Sequence, residues 1–189
     1  MTASQPTPLP PIEVLDRTPV GVFAASMAPL FEGAPRFLGR LAEARPFGTL
    51  EELFERARQV AHAMPVAEQI ELIDAHPRLG APRASVSALS FVEQGYDRDA
   101  AEVAARGAAA ERDRVAGELE RLNAAYEKRF GFRFCVFVHC RSLAELVPEM
   151  AAALDGTRPA EISRAIDAVV DIARDRAARL GTAAREALS

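Results

Sequence analysis

From Asp99 to about Phe130, and again from Pro159 to Gly181, apolar residues return at the three- and four-residue intervals of an α-helix. The first run offers Val103, Val115, Leu119, Leu122 and Tyr126 as buried positions, and the second offers Ile162, Ile166, Val169, Ala173 and Leu180. The punctuation between runs is also helical. Thr18-Pro19 reads as an N-cap followed by proline at the first helical position, opening a helix that ends near Phe31, and Gly33 breaks it. Pro35 restarts a helix with Phe37, Leu38 and Leu41, while Thr49–Glu52 and Ser142–Glu145 have the form of capping boxes. Met64-Pro65 separates the helix carrying Leu53, Phe54, Ala57, Val60 and Ala61 from one carrying Ile70 and Ile73. Pro77 ends the latter, because it lacks an N–H and pushes His76 away from helical geometry. The later helices close at Gly156 and Gly181. These signals predict an all-α fold, a single-domain multi-helix bundle over residues 13–182, with a proline-rich tail over 1–12 and a short tail over 183–189.

A chain of 189 residues can bury a core without disulfide or metal staples. Its net charge of -4 and pI near 5.5 give no bulk attraction to nucleic acid or an anionic membrane, so neither is an expected partner. No apolar run is long enough for a membrane span, and the opening residues lack the pattern of a secretory signal, so a cytoplasmic protein is expected. Lys128 is the only lysine among 23 basic residues, a bias ascribed to GC-rich coding. Cys135 and Cys140 point to opposite faces of a strand, or lie roughly 140° apart around a helix, and should not bond to each other. With His139 they fall short of the four ligands of a structural zinc, so no metal is expected.

The segment Phe132-Arg133-Phe134-Cys135-Val136-Phe137-Val138-His139 departs from the helical pattern, being rich in the aromatic and β-branched residues of a buried strand. A lone strand would leave backbone groups unpaired, so it must pair with something or be a buried helix.

Three clusters carry residue types suited to chemistry: His76-Pro77-Arg78-Leu79-Gly80; Ser90-Phe91-Val92-Glu93-Gln94; and Leu122-Asn123 with Tyr126, followed by Arg129-Phe130-Gly131-Phe132-Arg133-Phe134. Each has a local structural reading. A histidine at a helix C-terminus favours the helix dipole, Ser-x-x-Glu is also a capping box, and Phe-Gly-Phe packs cores. His62 reads as a surface or packing residue, and His139 fits either role.

In this order and at these separations the clusters resemble the 2-oxo-4-hydroxy-4-carboxy-5-ureidoimidazoline (OHCU) decarboxylase family, which shows His-Pro-x-Leu-Gly, Ser-x-x-Glu-Gln, Leu-Asn-x-x-Tyr and Phe-Gly-Phe-x-Phe in turn. Leu30–Pro35 and Ala44–Phe47 look like the family's N-terminal part, so the resemblance covers roughly residues 15 to 180. It implies a helical bundle, a homodimer, no cofactor and no metal, and favours a helix over the segment from Phe132. It also implies a small-molecule substrate of purine breakdown that is decarboxylated to (S)-allantoin. His76 and Glu93 would be the catalytic pair, with Ser90 and Gln94 bonding ureido and ring groups, Pro77 holding His76 extended, and backbone near Val138 lining the pocket. Two positions depart from the family. Cys140 stands where glycine is usual, and Ala153 where many members carry an arginine expected to meet the substrate carboxylate; Arg141 or Arg158 would substitute. The competing expectations are a divergent relative acting on another ureido or imidazoline acid, and a catalytically silent helical interaction protein.

Overall fold

The computed structural model of the protein describes residues 8–82, 86–94 and 106–186. Its described residues form helices and no strand: α1 (Ile12–Leu15), α2 (Val20–Met27), α3 (Pro35–Glu43), α4 (Leu50–Ala63), α5 (Val66–Asp74), α6 (Ala88–Glu93), α7 (Arg106–Phe130), α8 (Leu143–Ala153) and α9 (Arg158–Glu186). The all-α class is as expected. The chain packs as two compact units, one formed by the residues up to Leu72 with those from Val170 onward, the other by Ile73–Val169.

In the first unit Pro35 stands in the first turn of α3, where its missing N–H costs nothing, and Phe37, Leu38 and Leu41 are buried. Thr49 Oγ1 accepts the Glu52 N–H at 3.1 Å to open α4, which buries Leu53, Phe54, Ala57 and Ala61 and leaves Val60 half-buried. The turn between α2 and α3 is closed by Arg176, only 1% exposed, whose guanidinium donates to the Pro29 and Leu30 carbonyls and pairs with Glu32. A buried guanidinium is tolerated only when charge and donors are met in this way.

The second unit holds the site. α7 buries Val115, Leu119, Leu122, Tyr126 and Phe130, α8 adds Leu146 and Met150, and the first part of α9 adds Ile162, Ile166 and Val169. The Tyr126 ring packs on those of Phe130, Phe132 and Phe134, with centroids 4.6, 5.6 and 5.2 Å away. Ser142 and Glu145 complete the reciprocal capping box at the start of α8.

Four expectations are corrected. α2 ends at Met27 and is not capped by Thr18, whose hydroxyl instead donates to the Leu15 carbonyl at 3.0 Å while Pro19 occupies the N-cap. α9 runs through Gly181 to Glu186, since one glycine costs a helix only about 1 kcal/mol and need not stop it. Ser90 and Glu93 do not form a cap, because Ser87 occupies that position on α6. Residues 133–138 are neither strand nor helix. Arginine side chains take over what a sheet or helix would do for this segment: Arg164 donates to the Cys135 carbonyl, and Arg141 to those of Phe137 and Val138. Val103, Ser85 and the stretch 99–105 lie outside the described residues.

Candidate active site

α5 stops at Asp74, and the His76 N–H still reaches back to the Ile73 carbonyl at 3.1 Å. Pro77 cannot continue the ladder, so the chain leaves the helix and reaches Gly80 at φ 75°, a conformation that favours glycine. His76 is 4% exposed, and its Nε2 is buried and takes part in no hydrogen bond with a described residue, although the rest of the residue is engaged.

Side chains from separate elements grip this loop. Gln94, just past α6, accepts the Gly80 N–H on Oε1 at 2.9 Å and donates from Nε2 to the Arg78 carbonyl at 3.4 Å. Asn123 on α7 donates from Nδ2 to the Leu79 carbonyl at 3.0 Å and to that of Leu119 at 2.8 Å. Arg133 donates from one nitrogen to the carbonyls of Asp74 (2.7 Å) and His76 (3.0 Å), and its own N–H donates to Asp74 Oδ1 at 2.8 Å. Arg78 makes a two-pronged pair with Glu127, which raises the guanidinium pKa above its ordinary value through hydrogen bonding and then charge. Bonds of the neutral kind each contribute roughly 0.5–1.5 kcal/mol, so together they hold the loop firmly.

α6 presents the second cluster. Ser87 Oγ accepts the Ser90 N–H at 3.2 Å, which places Ser90 inside the helix, where it is 2% exposed. Glu93 is the last residue of α6 and is half-buried. Of the residues expected at the site, Gln94 is tied to the His76–Gly80 loop directly, and its amide is used on that loop.

Val138 is buried; its carbonyl accepts both the N–H and Nε of Arg141, and its own N–H donates to no described residue. Arg141 commits its remaining nitrogens to the Phe137 carbonyl and to Glu149. Arg158, the other candidate cation, places Nε on the Phe130 carbonyl at 2.8 Å. His139 and Cys140 turn the chain at φ 43° and 62°. Behind the segment, Tyr126 donates its hydroxyl to Glu161 at 2.8 Å, and Arg164 pairs with that carboxylate and lies over the Phe134 ring. Burial first, and the Glu161 bond second, push the Tyr126 phenol well above its usual range. Burial alone would lower the Arg164 pKa, but the bond and charge of Glu161 and the contact with Tyr126 override it. Cys135 is buried and Cys140 exposed, both as free thiols, and no metal-binding group of His, Cys, Asp or Glu occurs among the described residues.

Asn123, Glu127, Arg133, Glu161 and Arg164 received no role from sequence. Asn123 and Arg133 do fall inside the third of the sequence clusters, and their place there is the available signal. The clusters co-occur because they form one hydrogen-bonded assembly around the histidine loop.

A sequence model described as OHCU decarboxylase matches residues 17–178. A relative from Haloferax volcanii, 2-oxo-4-hydroxy-4-carboxy-5-ureidoimidazoline decarboxylase, is 28% identical over 82% of this chain and 87% of its own length. The uric acid degradation bifunctional protein PucL of Bacillus subtilis is 29% identical over 83% of this chain, which spans 30% of that longer protein. Among solved structures, OHCU decarboxylase in the presence of (S)-allantoin matches with a TM-score of 0.57 at 22% identity, over 78% of this chain and 92% of that one. (S)-Allantoin synthase matches with a TM-score of 0.60 at 18% identity, over 90% and 54%. At these identities the structures speak for the fold. The family match covers most of the chain, including every cluster bound to the His76 loop, and the chain belongs to the OHCU decarboxylase family.

Proposed function

We propose that this chain decarboxylates 2-oxo-4-hydroxy-4-carboxy-5-ureidoimidazoline to (S)-allantoin, with His76 as acid/base and Glu93 orienting or charging its imidazole. The observation that carries the reading is the His76 loop, its histidine buried, gripped by Gln94, Asn123 and Arg133, which lie within the three other segments of the resemblance. In this substrate the carbon bearing the carboxylate lies beside a carbon doubly bonded to nitrogen. When the bond to CO2 breaks, its electron pair forms a new carbon–carbon double bond, and the former double bond's pair moves to nitrogen, which takes up a proton from the medium. The resulting enol loses its hydroxyl proton and gains one on the neighbouring carbon, work suited to an imidazole, which can both accept and donate a proton. Ser90 and Gln94 bond ureido and ring groups, the open Val138 N–H is a further donor, Pro77 lines the loop, and Arg141 is the cation beside Val138. The chain acts as a homodimer in the cytoplasm. No helix among the described residues is long and apolar enough to cross a membrane.

A changed substrate is the second reading. Ala153 offers no cation at the end of α8, and Arg141 already shares its charge with Glu149.

The test generates the unstable intermediate in situ from urate and follows allantoin by circular dichroism. The wild type is expected to accelerate formation of the S enantiomer, and His76→Ala to lower kcat by at least about 100-fold while remaining folded. Near-normal turnover by the folded variant would remove His76 from the mechanism. A wild type inert on this compound would favour the changed substrate.

A further inference from the structure

We infer that Arg133 is a positioning residue for His76, setting where the imidazole stands by holding the backbone that carries it; this rests on the assignment of His76 as the acid/base. The last carbonyls of a helix have no partner within it; that of Asp74 closes α5, and that of His76 lies two residues beyond it. One nitrogen of Arg133 takes both, at 2.7 and 3.0 Å, while Asp74 returns the contact by accepting the Arg133 N–H at 2.8 Å. The clasp runs in both directions. The Asp74 carboxylate is thereby directed to an amide, and Arg133 has no carboxylate within ion-pair distance among the described residues. Arg78, Arg114, Arg121, Arg141 and Arg164 of the same unit each pair with a glutamate. What Arg133 holds is backbone. Pro77 restricts the peptide after His76 and Arg133 restrains its carbonyl from across the fold, so few backbone freedoms remain to move the ring.

Arg129 supplies the control. It too donates to a backbone carbonyl, that of Gly156 at 3.2 Å, with no bond to the His76 loop. Misplacing a reacting group by about 1 Å can cost about 100-fold in rate. Arg133→Ala is therefore expected to lower kcat per folded molecule by about 10- to 100-fold with KM within about threefold. Added methylguanidinium should restore part of the loss. The His76 ring resonances should shift in Arg133→Ala and stay in place in Arg129→Ala. Should the alanine variant not fold, Arg133→Gln keeps a planar donor at shorter reach, with the same signature at about threefold or more in kcat. Unmoved His76 resonances, or turnover falling only with the folded fraction as for Arg129→Ala, would overturn the inference. A wild type without decarboxylase activity whose His76 resonances move on loss of Arg133 would sink the proposed reaction and leave the positioning role standing.

Discussion

Gln94 accepts the Gly80 N–H at 2.9 Å with the same amide that donates to the Arg78 carbonyl, so a residue expected to face substrate is already bound to the loop that carries His76. Its carbonyl oxygen has a second lone pair, so holding the loop and touching a ligand are compatible. Gln94→Ala removes both bonds and leaves the Gly80 N–H without its acceptor. A loss of roughly 1–3 kcal/mol in urea unfolding is expected. Turnover should fall further than that loss explains, because the loop that sets the histidine is loosened. Unchanged unfolding would show that the amide does not hold the loop in solution.

Tyr126 gives a pH prediction. Its folded pKa is raised, chiefly by burial, above the unfolded value of about 10. Above that pH the unfolded chain releases the phenolic proton while the folded chain keeps it. The contribution is therefore complete below pH 10 and declines as pH rises beyond it. Tyr126→Phe should flatten this alkaline decline in stability, measured by urea unfolding at a series of pH values. Equal slopes for both proteins would mean that the phenol titrates normally and is not sealed by the rings of Phe130, Phe132 and Phe134.

Cys140 sits at φ 62°, where a side chain typically costs about 1–2 kcal/mol and glycine does not. Glycine's greater freedom in the unfolded chain returns about 0.5–1 kcal/mol of that difference. Cys140→Gly should accordingly stabilise the protein by about 0.5–1 kcal/mol in chemical denaturation. Destabilisation would show that the thiol makes contacts worth more than the backbone strain. The expectation from sequence that relatives carry glycine here acquires a conformational reason.

The legible parts of the chain were those written locally. Pro35 at a helix start, the Ser142–Glu145 box, and the stripe of Ile162, Ile166, Val169, Ala173 and Leu180 depend on neighbours within a turn or two, and the structure has them as read. Ser87 and Ser90 show the limit. Either could cap α6, and burial of Ser90 decides between them, a choice made by tertiary packing. Arginines are harder still. A guanidinium can reach solvent, a nearby carboxylate or a carbonyl far along the chain, and Arg133, Arg164 and Arg176 took carbonyls 57, 29 and 146 residues away. The segment after Phe132 escapes its composition for the same reason. Its composition asks for paired backbone, and side chains supplied the pairing.

That arrangement separates two properties that usually travel together. Phe132, Phe134 and Val138 are buried in the core, yet the amides of Phe134, Val136 and Val138 donate to no described residue. Amide exchange reports the hydrogen bond rather than the side chain's burial, so this segment should label in deuterium well before α7 and α8, which precede and follow it in the chain. Weakly protected backbone would then lie beside the packed rings of Tyr126, Phe132 and Phe134, and its amides could respond to a bound ligand without the core opening.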